Sequence, residues 1–215
     1  MRRRLILACL LAAASLPAEV LDRIAVSVGR RAYTESDLLL EIRLSSFLNQ
    51  TEPDFSPENR KAAARRLVER ALIEAEMEAG NYQEPKGAEV EPALESLKKS
   101  RPAVAAQFEQ ALQRYGIREE ELRRYLLEQL SLLRFIDARF GAAVQVSDTD
   151  LREYFVQKFL PEWQNKSKEP APAFDDVRGD LDRMLRQQRA DVLLDDWLRE
   201  AGGRTRVEYK DEALR

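Results

Sequence analysis

The chain has 215 residues, with 35 lysines and arginines against 38 aspartates and glutamates, and it contains no histidine. The acidic balance argues against nucleic acid or an anionic membrane as the main partner, because binding to phosphate groups rests on clustered Lys and Arg. The lack of histidine excludes Ser-His-Asp and Cys-His nucleophilic sites and zinc bound through imidazole.

The remaining polar residues give no pattern for catalysis. The eight glycines are dispersed, and none falls in a phosphate-binding loop. The acidic residues stand beside arginines at helical spacing, which is typical of solvated pairs rather than of an acid and a base with separated pKa values. We therefore predict a protein without catalytic, cofactor-binding or metal-binding residues.

The first eighteen residues have the features of an export signal. Three arginines at positions 2–4 precede the apolar run Leu5–Ala14, which is shorter than the roughly 20 apolar residues that span a bilayer. Cleavage after Ala18 or near Ala14 would remove three arginines and leave 32 basic against 38 acidic residues, a net charge of −6. The residues ahead of Cys9 loosely match a lipoprotein cleavage box, but the apolar run continues past the cysteine. Release into the periplasm is the favoured prediction, and the mature chain would hold its fold without disulfides.

The mature chain opens with a pattern that predicts β structure. Small and apolar residues alternate over Ile24–Val28, Gly29–Arg31 provide a turn, and Ala32–Tyr33 begin a return strand. Thr34 followed by Asp37 resembles a capping box, so a helix is predicted over about residues 35–49.

Helices are predicted for most of the remaining chain from the spacing of apolar side chains. They cover about residues 58–79, 90–97, 104–115, 119–140, 148–159 and 174–198, with Gly80, Gly116 and Gly202–Gly203 as helix ends. Weak alternation over residues 204–209 predicts a last strand. The predicted fold class is mainly α, with a small β element that joins the N- and C-terminal segments.

A polar segment, NKSKEPAPAFDDV over residues 165–177, separates the last two predicted helices. Pro170 and Pro172 disfavour helix until Phe174. After a signal at 1–18 we predict one domain over 19–215, made of a helical part at 19–163, a linker at 164–173, and a returning helix and strand at 174–215. A mature chain of this length buries about 70% of its unfolded surface, enough for stability without metal or disulfide.

The order of these elements resembles a known family over residues 20–160. The matching segments are LDRIAVSVGRRAYTESDL, RRLVERALIEAEMEAG, FEQALQRYGIREEELRRYLLEQLSLLRFIDARF and VSDTDLREYF. In this order they resemble the N-terminal chaperone module of the SurA-type periplasmic foldases. FDDVRGDLDRML followed by RTRVEY is similar to the helix and strand with which that module closes.

The resemblance also shows a departure from the family. In SurA-like and PrsA-like proteins, a parvulin prolyl isomerase domain of roughly a hundred residues follows the equivalent of VSDTDLREYF. About a dozen residues stand there in this chain, and the histidines and GGDLGW-like glycine segment that parvulin sites use are absent. The resemblance thus implies an exported, ATP-independent holdase for unfolded envelope or outer-membrane proteins, without isomerase activity.

A holdase needs apolar surface inside a charged rim, and adaptable or aromatic side chains suit varied clients. Phe55, Tyr82 and Trp163 lie in or beside predicted loops, and we predict that they contact clients. Four further aromatic residues have the same character but lie in periodic stripes, where burial in the core is the expected outcome. These are Phe47, Phe108, Tyr115 and Phe159.

Two other functions remain open from the sequence. A dedicated interaction or assembly subunit of an envelope complex would bind one folded partner and ignore most unfolded clients. A parvulin-type enzyme would accelerate X-Pro isomerisation against an uncatalysed time of tens to hundreds of seconds.

Overall fold

The computed structural model describes residues 22–80, 82, 85–101, 107–210 and 214. Within these residues the protein is mainly helical and carries one small antiparallel sheet. The predicted export signal, Cys9 and the cleavage positions at Ala14 and Ala18 lie outside the described residues.

The sheet joins the two ends of the chain. Its strands are β1 (Ile24–Val28), β2 (Arg31–Thr34) and β3 (Val207–Tyr209), in the order β2-β1-β3. Gly29, with φ of 57°, makes the turn between β1 and β2, a backbone conformation that a side chain disfavours. The pairing of β1 with β3 confirms the predicted contact between the terminal segments.

Eight α-helices account for most of the described chain. They are α1 (Glu35–Asn49), α2 (Pro57–Ala79), α3 (Val90–Ser100), α4 (Phe108–Tyr115), α5 (Glu119–Phe140), α6 (Asp148–Tyr154), α7 (Leu160–Lys166) and α8 (Phe174–Arg204). A 3₁₀ turn at Gly87–Glu89 precedes α3, and a π-helical turn at Phe155–Phe159 joins α6 to α7. No helix within the described ranges is long and apolar enough to cross a membrane.

The predicted capping boxes are present at α1 and α6. The Thr34 hydroxyl accepts from the Asp37 N–H at 3.3 Å, and the Asp37 carboxylate accepts from the Thr34 N–H at 2.9 Å. Ser147 and Asp150 make the same reciprocal pair at 3.1 and 2.8 Å. Each box satisfies backbone N–H groups that have no partner inside the helix, and this fixes where the helix begins.

Two helix ends differ from the sequence prediction. α8 continues through Gly202 and Gly203 to Arg204, because Trp197 and Ala201 anchor its last turns in the core. The linker predicted over 164–173 is shorter, since its first three residues extend α7 to Lys166. Glycine permits a helix to end but does not force it, and packing decides the outcome.

Three clusters of buried side chains hold the elements together. The first lies among the sheet, α2, α5 and α8 around Phe135 and Trp197. The second joins α1, α3, α4 and α5 around Leu94 and Leu122. The third joins β1, α1 and α2, and Leu214 near the C-terminus is buried in it. α2 belongs to the first and third clusters, and α5 belongs to the first and second. Because each of these helices packs against two sets of neighbours, a groove remains where both meet α8.

Candidate functional site

A groove of about 450 Å³ lies where α2, α5 and the C-terminal half of α8 meet. Its floor is aliphatic, and the pairs contributed by α2 and α8 are four residues apart, about one helical turn, which places each pair on a single face of its helix. The floor residues are Ile73 and Met77 of α2, Leu127 and Leu132 of α5, and Leu194 and Leu198 of α8. Leu132, Leu194 and Leu198 pack against the first core cluster but remain partly exposed, so the floor presents apolar surface to solvent.

Ion pairs form the rim of this groove. Arg31, at the start of β2, bridges Glu74 and Glu78 on α2. Arg70 bridges Glu41 of α1 at 2.6 Å and Glu128 of α5 at 2.9 Å. These contacts tie the sheet, α1, α2 and α5 together, so the rim is fixed in position by bonds between separate elements.

Glu41 is the buried centre of the rim. Its side chain is 1% exposed, and its two oxygens accept from Arg66 Nε at 2.7 Å and Arg70 Nη2 at 2.6 Å. A buried carboxylate is tolerated only when cations and hydrogen bonds replace its lost hydration. The two arginines provide this replacement and hold α2 against α1.

Burial changes the acidity of the rim. It raises the pKa of Glu74 above the usual range, and Arg31 and Arg70 oppose that change. Burial likewise raises the pKa of Glu128, against the opposing charge of Arg70. The pKa of Tyr125, which also lines the groove, is raised to about 12 by burial. The rim is thus charged but only partly hydrated, and electrostatic interactions are stronger there than at an open surface.

A second region rich in aromatic side chains lies away from the groove, and we call residues 148–190 the arm. Phe155, Phe159 and Trp163 follow one another at four-residue spacing, with ring centroids 5.5 and 5.8 Å apart. Phe174 meets Phe155 edge-on at 5.5 Å, and the Arg152 guanidinium lies 4.5 Å from the Phe174 ring centroid. These contacts hold the residues before the short linker against the residues after it.

The three predicted client-binding residues lie in different environments. Phe55 is 42% exposed in the loop between α1 and α2, where the Arg43 guanidinium lies 6.0 Å from its ring centroid. Tyr82 is half-buried edge-on against Phe135 at 5.5 Å. Trp163 is half-buried in the arm and donates from Nε1 to the Glu169 carbonyl at 3.2 Å. The structure does not bring the three together, and they do not line the groove, so their role with clients stays a prediction.

The other aromatic candidates divide between the core and the arm. Phe47 and Phe108 are buried in the second core cluster, as their periodic stripes predicted. Tyr115 packs against that cluster, with its ring edge-on to Phe47 at 5.4 Å. Phe159 belongs to the arm and is half-buried.

Sequence reasoning missed the residues that form the groove. The floor leucines of α8 and the α2 pair Ile73 and Met77 belong to apolar stripes that the pattern assigns to a core. The available signal is an apolar stripe too broad for one neighbouring helix to cover, beside charged residues at four-residue spacing on α2. These are Arg66, Arg70, Glu74 and Glu78. Which part of the stripe stays uncovered depends on how three helices meet.

The described part of the chain holds no group of three or more His, Cys, Asp or Glu side chains placed to bind a metal ion. No protein-family model matches the chain, and no curated protein is significantly similar to it in sequence.

Proposed function

We propose that the protein is an exported, ATP-independent holdase, similar in kind to the N-terminal module of SurA-type foldases, whose groove takes up apolar segments of unfolded envelope or outer-membrane proteins. One observation carries the proposal: a partly exposed aliphatic floor lies inside a fixed rim of ion pairs. This is the combination that a chaperone of this kind needs, since the floor binds clients and the rim keeps the empty protein in solution.

The size of the groove favours weak binding. A volume of about 450 Å³ accommodates only a few client side chains. Burying roughly 200 Å² of apolar client surface gives about 5 kcal/mol, and the ordering of client and groove offsets much of that. Weak affinity lets a client leave and fold, so the process requires no nucleotide.

The rim also suits clients of varied sequence. An extended client exposes backbone N–H and C=O groups that lose water when its side chains enter the groove. Carboxylates such as those of Glu74 and Glu78 accept from N–H groups, and the Arg31 guanidinium donates to carbonyl groups. Backbone groups are the same in every polypeptide, so these contacts do not depend on the client sequence.

Aggregation of several unrelated unfolded proteins tests the proposal. We expect near-stoichiometric amounts of the mature protein to suppress aggregation, and Leu198→Asp, which places a charge on the groove floor, to weaken suppression several-fold. Leu133→Asp is the matched control, because Leu133 is 58% exposed on α5 and does not line the groove. Circular dichroism establishes that both variants are folded. Failure to protect any client, or equal activity of the two variants, would contradict the proposal.

The arm favours the second candidate, a dedicated assembly subunit. Its ring contacts from Phe155 to Trp163 form a half-exposed aromatic surface, and a folded partner is recognised by shape complementarity to such a surface. A dedicated subunit would leave unfolded clients unprotected and would lose its one partner on Trp163→Ala. Prolyl isomerase activity is not part of the proposal, and we expect no acceleration of X-Pro isomerisation.

A further inference from the structure

The arginines that line the groove are all bound to carboxylates of the protein itself. Arg31 and Arg70 each bridge two of them. Arg66 binds Glu41 at 2.7 Å, and Arg124 lies 4.0 Å from Glu128. The positive charge of the rim is therefore already matched by acidic groups and is poorly placed to attract an acidic client.

Glu69 differs from the other carboxylates of the rim. It lines the groove and is half-buried, yet no lysine or arginine nitrogen within the described ranges lies at ion-pair distance from it. Burial raises its pKa, Asp195 of α8 raises it further, and Arg65 and Arg66 oppose this from a distance. Glu69 thus holds a partly dehydrated negative charge that forms no ion pair with any cation among the described residues.

The position of Glu69 places this charge next to the apolar floor. It precedes Ile73 by one helical turn on α2, and Asp195 adjoins the floor residue Leu194 on α8. A client whose apolar side chains occupy the floor would bring a neighbouring basic group to Glu69. That contact would replace lost hydration with a charge-assisted hydrogen bond.

We infer that the groove prefers apolar client segments that carry a lysine or arginine, with Glu69 as the residue that sets this preference. The inference rests on the proposed function and names the class of client segment. Charge complementarity supports this occupant. The arginines of the rim have intramolecular partners, whereas Glu69 in the groove and Asp195 near it add negative charge beside the floor.

Fluorescence anisotropy with three labelled peptides tests the inference. The peptides are unstructured, about twelve residues long, equally apolar, and differ only in a central Lys, Gln or Glu. We expect affinity in the order Lys, Gln, Glu, with the Lys peptide roughly five-fold tighter than the Gln peptide. High salt should reduce this difference, because ions screen a partly exposed pair.

Glu69→Gln is the decisive variant. We expect it to bind the Lys and Gln peptides with equal affinity, because the charge that distinguishes them is gone. Glu58→Gln is the control, since Glu58 is exposed on the same helix and outside the groove. The control should keep the wild-type preference.

The outcomes separate the inference from the proposed function. If none of the peptides binds, the proposed function fails. If all three bind with equal affinity, or if Glu69→Gln keeps the preference, only the inference is overturned. A dimer that dissociates on Leu198→Asp would assign the groove to a second copy of the chain and would also overturn it.

Discussion

The two halves of α8 serve different parts of the molecule. Residues 191–204 bury Trp197 and Ala201 in the first core cluster and contribute two leucines to the groove floor. Residues 174–190 belong to the arm, where α6 is the neighbour and the aromatic rings remain half-exposed. One continuous helix therefore connects a tightly packed region to one with few buried side chains, and the two regions should differ in local stability.

The carboxylates of the groove and of the arm differ in the direction in which their pKa values are shifted. Burial raises the pKa values of Glu74 and Glu128 at the groove. In the arm, a hydrogen bond from Arg189 lowers the pKa of Asp150, and one from Arg186 lowers that of Asp182. Loss of water dominates at the groove, whereas hydrogen bonds to solvated arginines dominate in the arm. Burial therefore governs the carboxylates at the groove, whereas ion pairs govern those of the arm.

The largest expected effect separates the core from the arm. Phe135 is fully buried and contacts Tyr82, Phe140 and Trp197, so Phe135→Ala should lower the free energy of unfolding by about 3–5 kcal/mol. Phe159→Ala in the half-exposed arm should cost about 1–2 kcal/mol. Urea denaturation measures both, and equal losses would show that the arm and the core form one equally packed unit.

The buried centre of the rim should give the next largest effect. Glu41→Gln removes the negative charge that pairs with Arg66 and Arg70 and turns an NH2 group towards one of them. It should destabilise the protein by about 2–3 kcal/mol, since partly buried Arg70 keeps only Glu128 as an ionised partner. Glu153→Gln on the exposed face of α6 is the matched control and should change stability little. A loss no greater than that of the control would mean that Glu41 does not fix the rim.

A fall in pH should change the stability of the groove and of the arm in opposite directions. Raised pKa values mean that the folded state binds extra protons at Glu74 and Glu128, so this part of the stability increases as pH falls from neutral towards their ordinary value of 4.5. Lowered pKa values at Asp150 and Asp182 stabilise the arm above their ordinary value of 3.8, and that contribution is lost as pH falls below it. Amide exchange, corrected for the intrinsic rate at each pH, should show the arm opening before the groove below about pH 4. Simultaneous opening would remove the distinction.

The smallest effect is expected at a surface ion pair of the arm. Arg183 and Asp180 pair on α8 with both side chains well exposed. Arg183→Ala should change the free energy of unfolding by roughly 0–0.5 kcal/mol, because water and salt weaken such pairs. A larger loss in thermal melts would mean that ion pairs of the arm act as a cooperative network.

Local chemistry made much of the fold predictable. Thr34 with Asp37 and Ser147 with Asp150 mark helix starts that the structure confirms, since a capping box is a contact between near neighbours in sequence. The pairing of the terminal strands was also predicted, from alternation at both ends of the chain.

The groove and the arm could not be predicted in the same way. A π-helical turn begins at Phe155 and ends at Phe159, and its extra residue shifts the phase of the apolar stripe. A helical period of 3.6 residues does not predict that shift. The groove depends on how far α8 leaves Leu194 and Leu198 uncovered, which is set by contacts between distant segments. The buried role of Glu41 has the same origin, because its two arginines lie 25 and 29 residues away.

Site-specific photocrosslinking shows whether an unfolded client contacts the groove or the arm. A benzophenone side chain is placed at Leu198 on the groove floor or at Val156 in the arm, which is 60% exposed, and each protein is irradiated with an unfolded outer-membrane protein. We expect strong crosslinks from Leu198 and few from Val156, and we expect an excess of a lysine-containing apolar peptide to compete the Leu198 crosslinks away. Strong crosslinks from Val156 together with none from Leu198 would contradict client binding in the groove.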